Sequence, residues 1–73
     1  MIYKNLAAEM ARKGITKKDL AKSLNMRYPT IVDKTNGKSR LYLDEAVKIR
    51  DMFFPEFDLE YLFDVDDTRG RTA

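Results

Sequence analysis

The sequence predicts an all-α fold, a compact arrangement of four or five short helices, and three observations predict it. Apolar residues recur three and four positions apart in IYKNLAAEMARKG, KKDLAKSL and LDEAVKIRDMFF, which is the period of an amphipathic helix. These segments are separated by residues that start or stop helices, namely Gly14, Thr16, Asn36-Gly37 and Pro55. Finally, 73 residues with no cysteine leave room for one modest core held by packing alone.

In chain order, Ile2, Leu6 and Met10 stand four apart with Tyr3 and Ala7 beside them, so a first helix is expected over 2 to 13. Arg12 and Lys13 suit the negative end of its dipole, and Gly14 suits a left-handed exit. Thr16 is a good N-cap, with Asp19 three residues on as its reciprocal partner. The helix it opens, 17 to 24, turns Leu20, Ala21 and Leu24 inward and Lys17, Lys18 and Lys22 outward. Asn25 enters the left-handed region more cheaply than most residues, so the chain turns there and Met26 points back to the core. Pro29 begins a third helix rather than breaking one, because a first-turn N–H has no helical partner to lose. That helix covers 28 to 35 and ends at Asn36-Gly37. After the basic connector Lys38-Ser39-Arg40, the spacing of Leu43, Ala46, Ile49 or Arg50, and Phe53, widened by Val47 and Phe54, predicts a fourth helix that Pro55 ends. Asp58 is the expected cap of a last short helix, DLEYLF, whose Leu59, Leu62 and Phe63 close the core. Thus one helical domain is expected over 1 to 63, and the polar residues 64 to 73 are expected to be disordered.

Composition narrows the function. Histidine and cysteine are both absent, which removes the commonest metal ligand, the neutral-pH acid/base and any thiolate site. Asp44 and Glu45 are explained as first-turn helix residues, no glycine-rich phosphate loop is present, and the reading is therefore not an enzyme and without cofactors. Asp64, Asp66 and Thr68 imitate the start of a calcium loop, but Arg69 stands where glycine is required, so no metal is expected. No apolar run is long enough for a bilayer, and Lys4 and Glu9 come too early for a signal peptide, so a cytoplasmic protein without membrane or small-molecule partner is expected. The net charge of +2 averages two unlike parts: residues 1 to 50 carry 12 Lys/Arg against 5 Asp/Glu, and residues 51 to 73 carry 2 against 7. Such polarity suits a molecule that meets a polyanion with one face.

Two short helices joined by a three-residue turn form a helix-turn-helix, here over 17 to 36. The run TKKDLAKSLNMRYPTIVDKTNGK resembles that motif in the lambda-repressor-like family, the Cro and phage-repressor type also called XRE regulators. Ala21, Asn25 and Ile31 occupy the family's alanine, turn and branched apolar positions, and Leu20 and Leu24 its core leucines. Asn5 to Thr16, Asn36 to Lys38, Asp44 to Pro55 and Tyr61 to Phe63 also resemble short phage and prophage regulators. The chain departs from the pattern at Asn25 for the turn glycine, Arg27 and Tyr42 for hydroxyl caps, and Thr35 for an apolar residue. Each lost cap costs about 1 kcal/mol.

The resemblance implies a lambda-repressor-like DNA-binding domain that places helix 28 to 35 in the major groove of double-stranded operator DNA, with a homodimer on a two-fold site left open. Carried over residue by residue, the base-contacting set is Arg27, Tyr28, Pro29, Thr30, Asp33 and Lys34. Arg27 is suited to guanine O6 and N7, Pro29 to a thymine methyl, and Asp33 to cytosine N4. Lys17, Asn36, Lys38 and Arg40 fall where the family grips the sugar-phosphate backbone. The alternative is a protein-interaction module on the same fold, in which Phe54, Phe57, Tyr61 and Phe63 receive a partner; closure of the small core is the competing role for those rings.

Overall fold

A computed structural model describes residues 1–65. The tail beyond, including Asp66 and Thr68 of the rejected calcium pattern and most of the segment expected to be disordered, lies outside the described residues. Five helices and no strand are present among the described residues: α1 (Lys4–Lys13), α2 (Lys17–Ser23), α3 (Tyr28–Thr35), α4 (Leu43–Phe53) and α5 (Leu59–Leu62).

The first three helices end in the same way. A residue with positive φ follows each: Gly14 at 69°, Asn25 at 56° and Gly37 at 86°. Beyond it, the next N–H reaches back to a carbonyl in the last turn, Ile15 to Met10 at 2.9 Å, Met26 to Ala21 at 2.8 Å and Lys38 to Asp33 at 2.9 Å. This is the six-to-one bond of a Schellman exit, normally accompanied by an apolar residue packing back on the helix. Ile15 and Met26 fill that role, half-buried against the core. At the third exit the residue is Lys38, and it is exposed.

Helix starts are less uniform. Thr16 and Asp19 form the complete reciprocal box, Thr16 N–H donating to the Asp19 carboxylate at 2.8 Å and Asp19 N–H to the Thr16 hydroxyl at 3.2 Å. In α4 the Glu45 carboxylate accepts from Tyr42 N–H at 3.0 Å, which is the N3 half of the box, while the Tyr42 side chain makes no cap bond in return. Arg27 makes no side-chain cap for α3. Asp58 occupies the cap position of α5 but also makes no side-chain cap bond, contrary to the expectation from sequence.

Leu6, Met10, Leu20, Ala21, Ile31, Ile49, Phe54 and Leu62 form the buried cluster, drawing on every helix, with Leu24, Met26 and Phe53 half-buried against it. Two expectations about the apolar stripe need correction. Leu43 is 73% exposed, because the buried face of α4 begins only at Ala46. Ile2 is not helical: its N–H donates to the Thr35 carbonyl at 2.8 Å, and its side chain packs on Gly37, so the segment before α1 covers the end of α3. Thr35, at a position where an apolar residue was anticipated, is fully buried with its hydroxyl donating to the Ile31 carbonyl at 2.8 Å. Its one donor is thereby satisfied within its own helix, which makes the polar group tolerable in the core.

The acidic end is fastened by polar contacts. Glu9, buried to 3% exposure, accepts from the Tyr61 hydroxyl at 2.7 Å and from Arg12 at 2.6 Å, while Asn5 donates to the Tyr61 carbonyl at 2.8 Å. Lys13 bonds the Phe53 carbonyl at 2.9 Å, pairs with Glu56 at 2.6 Å and lies 5.1 Å from the Phe54 ring centre. Phe54 is fully buried, Phe57 and Phe63 are half-buried, and Phe63 meets Tyr3 edge-on at 5.4 Å. These rings close the core.

Candidate nucleic-acid interface

The axes of α2 and α3 are set by local chemistry. The Schellman exit at Asn25 turns the chain within the four residues between α2 and α3, and Leu20, Ala21 and Ile31 lock the two helices together. What faces outward at the start of α3 follows from this. Arg27, Tyr28 and Pro29 are exposed, with Tyr28 at 46%. Arg27, free of capping duty, lies at the positive end of the helix dipole, so cation and dipole present one sign to solvent.

Helical spacing divides the remaining α3 residues. Pro29, Asp33 and Asn36 follow one another by four and three positions and share a face. Asn36 is exposed and Asp33 half-buried, its carbonyl accepting from Lys38 N–H at 2.9 Å and Ser39 N–H at 3.2 Å. Thr30 is half-buried, and Lys34, one turn further on, is buried to 8% exposure. The Lys34 ammonium donates to the Arg40 carbonyl at 2.9 Å and to the Glu45 carboxylate at 3.1 Å, and sits 4.9 Å from the centre of the Tyr42 ring. Lys34 therefore does not belong with the outward reading residues, because its charge is already neutralised inside the protein. Sequence offered no sign of this pairing, which joins residues eleven apart across an irregular connector.

Cations flank the reading residues. Lys38 and Arg40 are exposed on the connector after α3, Lys17 is half-buried at the start of α2, and Lys18 and Lys22 are exposed along α2. An open groove lined by Lys18, Asp19, Lys22, Met26 and Tyr28 runs between α2 and the start of α3. Tyr42, 54% exposed beside Arg40, is a surface residue that sequence reasoning treated only as a missing cap. Among the described residues no cluster of carboxylates is placed to hold a metal, and no helix is long and apolar enough to cross a membrane.

A small all-helical domain whose two central helices form a tight helix-turn-helix, with an outward basic rim, defines a DNA-binding class of protein. Comparison of the sequence with known families agrees: the Cro/C1-type HTH DNA-binding domain matches residues 5–53, well over half of the chain, and the chain belongs to that family. Neither a curated protein nor a solved structure matches the chain.

Proposed function

We propose that this protein is a sequence-specific transcriptional regulator of the phage and prophage type, working in the cytoplasm on double-stranded operator DNA. The observation that carries this reading is the row Arg27, Tyr28 and Pro29, exposed at the start of α3, with exposed cations on α2 before it in the chain and on the connector after it. In the proposed complex α3 enters the major groove, Arg27 bonds a guanine edge, and Tyr28, Pro29, Thr30 and Asp33 complete the reading surface. Lys17, Asn36, Lys38 and Arg40 hold the sugar-phosphate backbone and fix register. A homodimer places two such helices on half-sites one turn, about 34–36 Å, apart.

The interaction-module alternative loses most of its surface, since Phe54, Phe57 and Phe63 pack inward and the Tyr61 hydroxyl is bonded to Glu9. An NMR titration of the labelled protein with a mixed-sequence duplex at about 50 and 200 mM salt tests the DNA reading, because phosphate contacts weaken steeply over that range. Amide shifts centred on residues 17 and 27 to 40 that fade at the higher salt are expected. An unchanged spectrum at the lower salt would defeat the reading.

A further inference from the structure

We propose that Lys34 and Glu45 act together as an internal brace that aims the basic connector, Lys38 to Arg40, at the DNA backbone; this rests on the DNA-binding reading above. The connector is short, irregular and carries two exposed cations. Its main chain is pinned at both ends. Beside α3, the Asp33 carbonyl accepts from Lys38 and Ser39 N–H groups. Toward α4, the Arg40 carbonyl accepts from the Lys34 ammonium at 2.9 Å.

The second anchor depends on a chain of contacts. Lys34 rises from the last turn of α3, Glu45 stands in the first turn of α4, and their charged groups meet 3.1 Å apart at 10% and 14% side-chain exposure. The Glu45 oxygen that receives Lys34 also accepts from Tyr42 N–H. One carboxylate thus ties the end of the connector and the start of α4 to the reading helix. A half-buried or buried pair of this kind contributes little net stability but restricts geometry when every donor is matched. Lys34 touches no DNA in this arrangement; it is a positioning residue, and the contacts it positions are those of Lys38 and Arg40.

The consequence runs against simple electrostatics. Glu45→Gln removes one negative charge, and bulk charge alone would tighten DNA binding. Loss of the brace should instead weaken it, because Lys38 and Arg40 no longer meet two phosphates together. The test measures binding of a mixed-sequence duplex of about two turns across a range of salt, for the wild-type chain, Glu45→Gln, Lys34→Met, the Lys38→Gln/Arg40→Gln pair, and that pair combined with Glu45→Gln. Circular dichroism and thermal melting of each select the temperature at which all are folded, and Glu45→Gln, which keeps the side-chain size but withdraws the charge that holds the Lys34 ammonium, carries the test if Lys34→Met is unfolded.

The brace requires that Glu45→Gln binds roughly tenfold or more weakly near 0.1 M salt, with a plot of log affinity against log salt that is shallower by about 1 to 2, the range for one or two lost phosphate contacts. It also requires that adding the connector substitutions costs little more. Unchanged or tighter binding by Glu45→Gln overturns the brace and leaves the DNA reading standing. So does a Lys34→Met loss of about 0.9 in slope that adds fully to the loss from Lys38 and Arg40, which would make Lys34 itself a phosphate ligand. If the wild-type chain does not bind the duplex at about 50 mM salt, the DNA reading and the brace fall together.

Discussion

Arg27 stands at the cap of α3, where Ser, Thr, Asp or Asn would satisfy an exposed N–H, yet its side chain makes no such bond. Under the DNA reading the residue is chosen for what it meets outside the protein. Arg27→Ser therefore should raise stability by about 0.5–1 kcal/mol through the new cap and weaken specific binding by about 1–3 kcal/mol through loss of the guanine contact. Urea denaturation and a binding isotherm on the same sample check both signs; a variant that loses stability, or that binds operator as before, contradicts the assignment. The positive-φ positions give a second residue-scale prediction. Alanine at Gly14 or Gly37 incurs about 1–2 kcal/mol of backbone strain. At Gly37 the added Cβ would also lie 3.3 Å from the Ile2 side chain, whereas at Gly14 it would meet nothing within 4 Å. Gly37→Ala should accordingly be the more destabilising of the two in denaturant melts, and the reverse order would discredit the packing of the N-terminal segment on α3.

At the scale of elements, α5 is only four residues long and is kept in place chiefly by what it touches. The Tyr61 hydroxyl is the largest influence holding the Glu9 carboxyl below the usual carboxylate range, with Arg12 adding to it and burial opposing it. Asp19 is lowered by the Thr16 N–H bond and Glu56 by Lys13. A carboxyl lowered in the folded state contributes stability that is present above its unfolded pKa, about 4.3 for Glu, and is lost as pH falls through the lower folded value. Acid unfolding should thus begin below about pH 4 and involve all three groups. Tyr61→Phe removes the main cause at Glu9, so its acid midpoint should move to higher pH while Asp19 and Glu56 are unaffected; circular dichroism through an acid titration reads it, and an unshifted midpoint would mean that the bond does not hold α5. The Tyr61 phenol is raised by the same contact, so its own contribution is present below its unfolded value, about 10, and disappears as pH rises beyond it. The helices themselves were readable from sequence because Thr16, Gly14, Asn25, Pro29 and Gly37 each impose a local backbone state. Local signals did not reveal Lys34–Glu45, Glu9–Tyr61 or the bond from Ile2 to Thr35, since those partners meet only after the chain has folded. Leu43 misled for the related reason that helical spacing shows which residues share a stripe and not how far along the helix the core extends.

For the whole molecule, charge is divided along the chain. Residues 1 to 50 are strongly basic and residues 51 to 73 strongly acidic, so a net charge of +2 averages two unlike segments of the chain. Such a chain should approach DNA with the helix-turn-helix leading, since the opposite approach brings carboxylates toward phosphates. Its salt response then counts the cations engaged. With Lys17, Lys38 and Arg40 each neutralising one phosphate, the slope of log affinity against log salt is about −2.7 for one protomer, and affinity falls about 40-fold between 50 and 200 mM salt. A homodimer on a two-fold site doubles the slope to about −5.4, a fall on the order of 2,000-fold over the same interval. Isotherms at four or five salt concentrations therefore report the backbone contacts and the assembly at once, and repeating them with Lys17→Gln should make either slope shallower by about 0.9 for each protomer bound. A slope near zero would show that phosphate contacts contribute nothing and would defeat the DNA-binding reading.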